Sequence, residues 1–189
     1  MRARRLSNTV GFDDAPFARS HQGQVTIVGA VFADRRFDGV LVAAVEKDGA
    51  DATSVLAATI AGSRFHQHIH LVLLQGVTLA GFNVVDATAL HAQVARPILV
   101  VARRRPDMSA IRQALESRIP GGHAKWQSIE RLGPMEPCAG VYVQRIGLTA
   151  AEAQAVVERL AVHSQIPEPL RVAHLIAGAI ASGASRGRP

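Results

Sequence analysis

Apolar residues near the start of the chain come in runs rather than at helical intervals. Residues 9–12 form a short run ending at Asp13, and residues 24–33 (QVTIVGAVFA) are apolar and rich in β-branched side chains. Residues 39–45 (GVLVAAV) follow a turn-like segment at 34–38. Continuous β-branched runs bounded by turn residues read as strands, and the short connection between the second and third predicts an antiparallel hairpin.

The pattern then alternates between helix and strand. Residues 51–61 place Val55, Leu56, Thr59 and Ile60 at helical spacing. HLVLL at 70–74 and PILVVA at 97–102 read as buried strands, with a helix over 86–95 between them. A further amphipathic helix spans 107–118 and stops at Pro120, Gly121 and Gly122. A short strand at 141–144 precedes Thr149, which has Glu152 three residues on, the spacing of a capping box. Pro167 and Pro169 open a last helix running to Gly183. Three antiparallel strands followed by strand–helix–strand units predict an α/β domain: a mixed sheet with helices on its faces.

With 189 residues, 48% of them hydrophobic, the chain suits one domain with a substantial core. Aromatics are only 4%, so that core must be aliphatic. The net charge of +6 favours phosphate-bearing partners without naming one. Part of it sits in basic tails at about 1–6 and 183–189. The opening MRARRLSNTV lacks the apolar stretch of a secretory signal, and no run approaches the roughly 18 residues of a membrane span. The expectation is a cytoplasmic protein without a membrane partner. One cysteine, Cys138, excludes an intramolecular disulfide and reads as a structural thiol.

The candidate chemistry is acidic. Asp13 and Asp14 end the first strand, where neighbours point to opposite faces. Asp48, before Gly49, ends the third. In a three-stranded meander Asp13 and Asp48 can converge at one end of the sheet, where Mg²⁺ would relieve their repulsion and activate a water against a phosphodiester. The same residues also suit turns, as Asp38 does before Gly39. Asp51 and Asp86 suit helix N-caps. His66, His68 and His70 would share a face on a strand, a weak metal-site signal. The run Arg103, Arg104, Arg105 follows a buried strand, at the end where α/β sheets place ligands. No phosphate-binding loop, nucleophile elbow or dinucleotide fingerprint occurs.

Five blocks in order, VGFDDAPF (10–17), DGVLVAAVEKDGADAT (38–53), LLQGVTLAGFNVVDA (73–87), PILVVARRRPD (97–107) and IPEPLRVAHLIA (166–177), resemble a prokaryotic family related to endonuclease V. They run through nearly the whole chain, as a single endonuclease V-like domain over 1–189. The resemblance implies a ribonuclease H-like fold: three antiparallel strands, then parallel strands, flanked by helices. It also implies a Mg²⁺- or Mn²⁺-dependent endonuclease acting on DNA with a deaminated base such as deoxyuridine. The first-strand aspartate of endonuclease V falls on Asp13 and its glutamate on Asp48, with Asp51 as the competing alignment. Its second aspartate falls on Gln75, before Gly76, and its lysine on Arg103.

Catalytic residues would then be Asp13, Asp48, Gln75 and Arg103, with metal on Asp13 and Asp48 and with Asp14 and Asp51 as further ligand candidates. Gly76, Gly81, Phe82, Asn83 and Arg104 would contact substrate, Phe82 stacking on the base and Asn83 hydrogen-bonding to it. Two departures stand out. Gln75 is neutral, and the loop that carries a histidine in endonuclease V corresponds to 143–148, where VQRIGL has none. They leave a second reading open: a non-catalytic nucleic-acid-binding protein with a degenerate metal site.

Overall fold

The computed structural model of the chain describes residues 6–185; the basic tail residues Arg2, Arg4, Arg5, Arg186 and Arg188 lie outside them. The runs of β-branched residues form strands β1 (Asn8–Asp14), β2 (Gln24–Ala33) and β3 (Arg36–Glu46), and β1 extends far enough to include both aspartates. Helix α1 (Ala52–Ala61) leads to β4 (Leu71–Gln75). The small hairpin of β5 (Thr78–Leu79) and β6 (Asn83–Val84) follows, then α2 (Ala87–Val94) and β7 (Ile98–Ala102). Helices α3 (Met108–Arg118) and α4 (Gly122–Glu130) precede β8 (Glu136–Cys138) and β9 (Val141–Ile146), and α5 (Ala150–Leu160) and α6 (Glu168–Ser182) close the chain.

Seven strands form one mixed sheet in the order β3-β2-β1-β4-β7-β9-β8. The β1–β2 and β2–β3 pairs are antiparallel, while β1, β4 and β7 run parallel. Strands β9 and β8 then return antiparallel at the far edge. Phe12, Ile27, Leu74 and Val100 bury one face against α1–α4. Leu71, Leu73, Leu99 and Val101 bury the other against α5 and the start of α6. Further along α6, Ala173 and Ala177 pack on Val28, Ala30 and Phe32 of β2.

Several local expectations hold. Asp86 accepts a hydrogen bond from Ala89 N at 2.9 Å as an N-cap, and Thr149 with Glu152 makes the capping box. Asp51 does not cap α1; its carboxylate is used elsewhere. His66 and His68 lie in turns and His70 precedes β4, so the three share no strand face.

Gly11 sets the height of α6. A Cβ there would lie 2.6 Å from the backbone carbon of Pro169 and 2.7 Å from Leu170 N. Only glycine lets the helix entry rest on β1. That close approach determines what the next turn of α6 can reach.

Candidate active site

Asp13 is 5% exposed, on the α6 side of the sheet. Phe12 pairs with Leu74 across the parallel β1–β4 ladder, and both side chains enter the α1–α4 core. Asp13 and Gln75, the next residues in register, therefore point together to the opposite face. There the ring Nδ1 of His174, one turn beyond Leu170 on α6, lies 2.8 Å from Asp13 Oδ2. The second carboxylate oxygen of Asp13 accepts from the Asp14 amide at 3.0 Å. Burial, then the charge of Asp14, pushes the Asp13 carboxyl up to about 6, against the opposing hydrogen bond from His174. Beside it, the side-chain oxygen of Gln75 is buried with no hydrogen-bond partner among the described residues.

Asp14 points the other way. Its Oδ2 accepts from Ala80 N at 2.7 Å, and burial raises its pKa while that hydrogen bond lowers it. Asp48 has a left-handed backbone, φ 55°, and its Oδ1 accepts from Phe82 N at 2.8 Å. A Cβ on Gly81 would collide with that oxygen, which fixes glycine beside Asp48. The Asp48 amide donates to Ala80 O at 2.9 Å. Ala80 is thus held by Asp14 through its amide and by Asp48 through its carbonyl. Lys125 of α4 completes the clamp, donating to the carbonyls of Asp48 (2.7 Å) and Phe82 (2.9 Å); burial lowers its pKa while the Asp48 charge opposes.

The carboxylates of Asp13 and Asp48, which the meander brings to one end of the sheet, share no hydrogen-bond partner among the described residues. Asp13 belongs with Gln75 and His174, and Asp48 with the β5–β6 hairpin. Asp14, next to Asp13, links the two groups. Asn83 also leaves its expected role. It is 0% exposed, accepting from Ala52 N at 3.0 Å and donating to Glu46 O at 2.8 Å and to Asp51 at 2.5 Å. Its amide is spent on buttressing and cannot read a base. Phe82 packs partly buried against the core, and Asp51 braces Asn83 and the Glu46 amide. Gly76 stands at the end of β4 with φ 80°, donating to Val101 O at 3.0 Å.

Arg103, Arg104 and Arg105 are exposed just past β7, with no ion pair among the described residues. His174 is not among the residues that the sequence singles out. It lies within IPEPLRVAHLIA, one residue from the buried Ala173, and a histidine beside the apolar face of a helix was its local signal. A histidine thus does stand beside Asp13, carried by α6 and not by 143–148.

Residues 5–181 match the family described as endonuclease dU. The chain belongs to that family. A UPF0215 protein of Deinococcus radiodurans is 52% identical over 184 residues, covering 97% of this chain and 94% of its own. One from Methanothermobacter thermautotrophicus is 40% identical over 182 residues, covering 94% and 89%. A crystal structure of an Archaeoglobus fulgidus protein superposes with a TM-score of 0.86 at 32% identity, over 93% of this chain and 99% of that one. Endonuclease V of Bacillus subtilis superposes at 0.58 with 11% identity, over 91% and 79%. Ciona intestinalis endonuclease V, in complex with inosine-containing DNA, superposes at 0.54 with 14% identity, over 89% and 83%. At such identities the likeness shows the fold: this endonuclease dU chain has the ribonuclease H-like architecture of endonuclease V. The family is endonuclease-like, and no helix among the described residues is long and apolar enough to cross a membrane.

Proposed function

We propose that the chain is a metal-dependent endonuclease that cuts DNA near a deaminated base such as deoxyuridine. The observation that carries this reading is the buried Asp13 carboxylate, raised to about 6, beside the unpartnered oxygen of Gln75 and the ring of His174. Perturbed carboxylates beside unsatisfied polar atoms mark sites built for a ligand rather than for stability.

The residues fit a hard divalent cation, Mg²⁺ or Mn²⁺. Asp13 and Gln75 offer oxygen, His174 one nitrogen, and Asp14 adjoins them. Such an ion, when bound, lowers the pKa of a water and offsets charge on a phosphate oxygen. Asp13 orients the attacking water, and His174 holds the Asp13 carboxylate in place. Arg103, with Arg104 beside it, neutralises the scissile phosphate from the end of β7. Asp48 acts from the other side, holding the hairpin of Gly81 and Phe82 against the site. The hairpin backbone, from Gly76 to Gly81, receives the flipped base, a role that Asn83 cannot fill.

Cleavage of labelled duplexes and single strands containing deoxyuridine or deoxyinosine, with Mg²⁺ or Mn²⁺, tests this directly. Wild type is expected to cut and Asp13→Ala to leave the DNA intact. One observation favours a second reading, a DNA-binding protein without cleavage: among the described residues no three His, Cys, Asp or Glu side chains come together as a metal-holding group. Folded wild-type protein that binds but never cuts, with either metal, would establish that alternative.

A further inference from the structure

Arg19 stands in a cleft of about 450 Å³ that has no role in the proposed reaction beyond its border at Asp48. The β1–β2 loop forms one wall, and Glu46, Lys47 and Asp48 at the end of β3 form the other. The loop is braced. Lys47 Nζ donates to the carbonyls of Arg19 at 2.5 Å and His21 at 3.0 Å, and its ammonium lies 5.8 Å from the centre of the Phe17 ring. His21 Nε2 sits 3.0 Å from Gln24 O. These contacts occupy Lys47 and leave the Arg19 guanidinium, the Ser20 hydroxyl and the Gln22 amide with no hydrogen bond to another described residue.

The placement relates this cleft to the acidic site. It borders Asp48 and follows β1, so it opens at the end of the sheet where Asp13 and Gln75 lie. Arg103, Arg104 and Arg105 leave β7 at that same end, on the other flank, with β1 and β4 between. Strands are spaced by about 4.8 Å, so three spacings from β2 to β7 put the flanks on the order of 15 Å apart. That is about four nucleotides at a rise of ~3.4 Å each.

The lining chooses the ligand. A bare anion at Arg19 would also meet the carboxylates of Glu46 and Asp48. A nucleotide suits both charges, its phosphate on Arg19 and Ser20 and the donors of its base edge toward a carboxylate. The volume lies within the roughly 300–1,000 Å³ of small-ligand sites.

We propose that this cleft holds a nucleotide of the substrate strand beside the cut, so that the strand crosses the end of the sheet from Arg19, over Asp13, to Arg103–Arg105. The inference rests on the nuclease reading and adds the path of the strand. The test is binding of a fluorescent deoxyuridine-containing oligonucleotide across a salt series, comparing wild type, Arg19→Ala and Arg19→Lys, each checked for an unchanged melting temperature. Arg19→Ala should bind about 5- to 10-fold more weakly and flatten the slope of log Kd against log salt by about one phosphate contact, with Arg19→Lys keeping the slope. Equal affinity and slope in Arg19→Ala, with wild type binding and cutting normally, overturns the strand path and leaves the nuclease reading standing. Wild type that binds no DNA overturns both.

Discussion

His174 Nδ1 lies 2.8 Å from Asp13 Oδ2, joining residues 161 positions apart. Every step that brings them together has a named cause. Gly11 admits the entry of α6 onto β1, Leu170, Ala173 and Ala177 turn one face of the helix inward, and His174 stands beside that face over Asp13. The Asp13 side chain is 7% exposed and that of His174 48%, so the pair joins a buried carboxylate to the surface.

The raised pKa of Asp13 makes this site costly to fold. A carboxyl that titrates at about 6 in the native state against 3.8 otherwise is preferred protonated. Its favourable contribution is complete below pH 3.8 and is lost as pH rises through about 6. At 1.36 kcal/mol per pKa unit the loss is on the order of 3 kcal/mol above that range. Asp13→Asn should therefore be more stable than wild type at pH 7 without metal, and match it near pH 4, by urea denaturation across pH. Millimolar Mg²⁺ or Mn²⁺ should raise the melting temperature of wild type and not that of the variant. A variant less stable than wild type at pH 7 would show that the carboxylate is already satisfied in the metal-free protein.

Gln75 should show the same trade-off in neutral form. Its buried oxygen has no partner among the described residues, and an unsatisfied buried acceptor costs about 1–3 kcal/mol. Gln75→Leu should gain about 1 kcal/mol in metal-free urea melts and lose cleavage. Gln75→Asp, adding a second carboxylate beside Asp13, should bind Mn²⁺ more tightly by calorimetry and be less stable without it. If Gln75→Leu is destabilised, the amide is a structural group and not a ligand.

The strand meander, the central strands and the caps at Asp86 and Thr149 were legible because their causes are local: β-branched runs, turn residues and side chains three positions apart. Helix α4 was not, since Gly121 and Gly122 read as a terminator; Gly121, at φ 69°, instead starts a helix whose buried apolar side chains are Trp126 and Ile129. Within the site, Asp13 was visible as a strand end. Its partnership with His174, and the diversion of Asn83 to Asp51 and Glu46, arise from contacts between distant segments that no periodicity encodes. Asp51 looked like an N-cap for the same reason: a cap is decided locally, and a buried amide from residue 83 competed for it and won.

Gly11→Ala tests the close approach of α6. Its methyl would meet backbone atoms of Pro169 and Leu170 at 2.6–2.7 Å, which a rotamer change cannot relieve. Overpacking of this kind costs about 1–3 kcal/mol. The variant should lose that much stability. It should also lose cleavage out of proportion, because a shifted α6 withdraws His174 from Asp13. Full activity alongside reduced stability would mean that the His174 contact is dispensable.

Lys125 separates holding the hairpin from performing the reaction. Its ammonium bridges the carbonyls of Asp48 and Phe82 and touches neither Asp13 nor Gln75. Lys125→Met keeps most of the apolar stem and removes two charge-assisted hydrogen bonds, at a cost of about 1–3 kcal/mol. With the Gly81–Phe82 backbone loosened, recognition of the target base should suffer more than bond cleavage. KM for a deoxyuridine substrate should rise severalfold with kcat within about twofold, and discrimination against undamaged DNA should narrow. A fall in kcat at unchanged KM would instead place Lys125 among the groups acting on the scissile phosphate, and the hairpin would no longer be the base-receiving element.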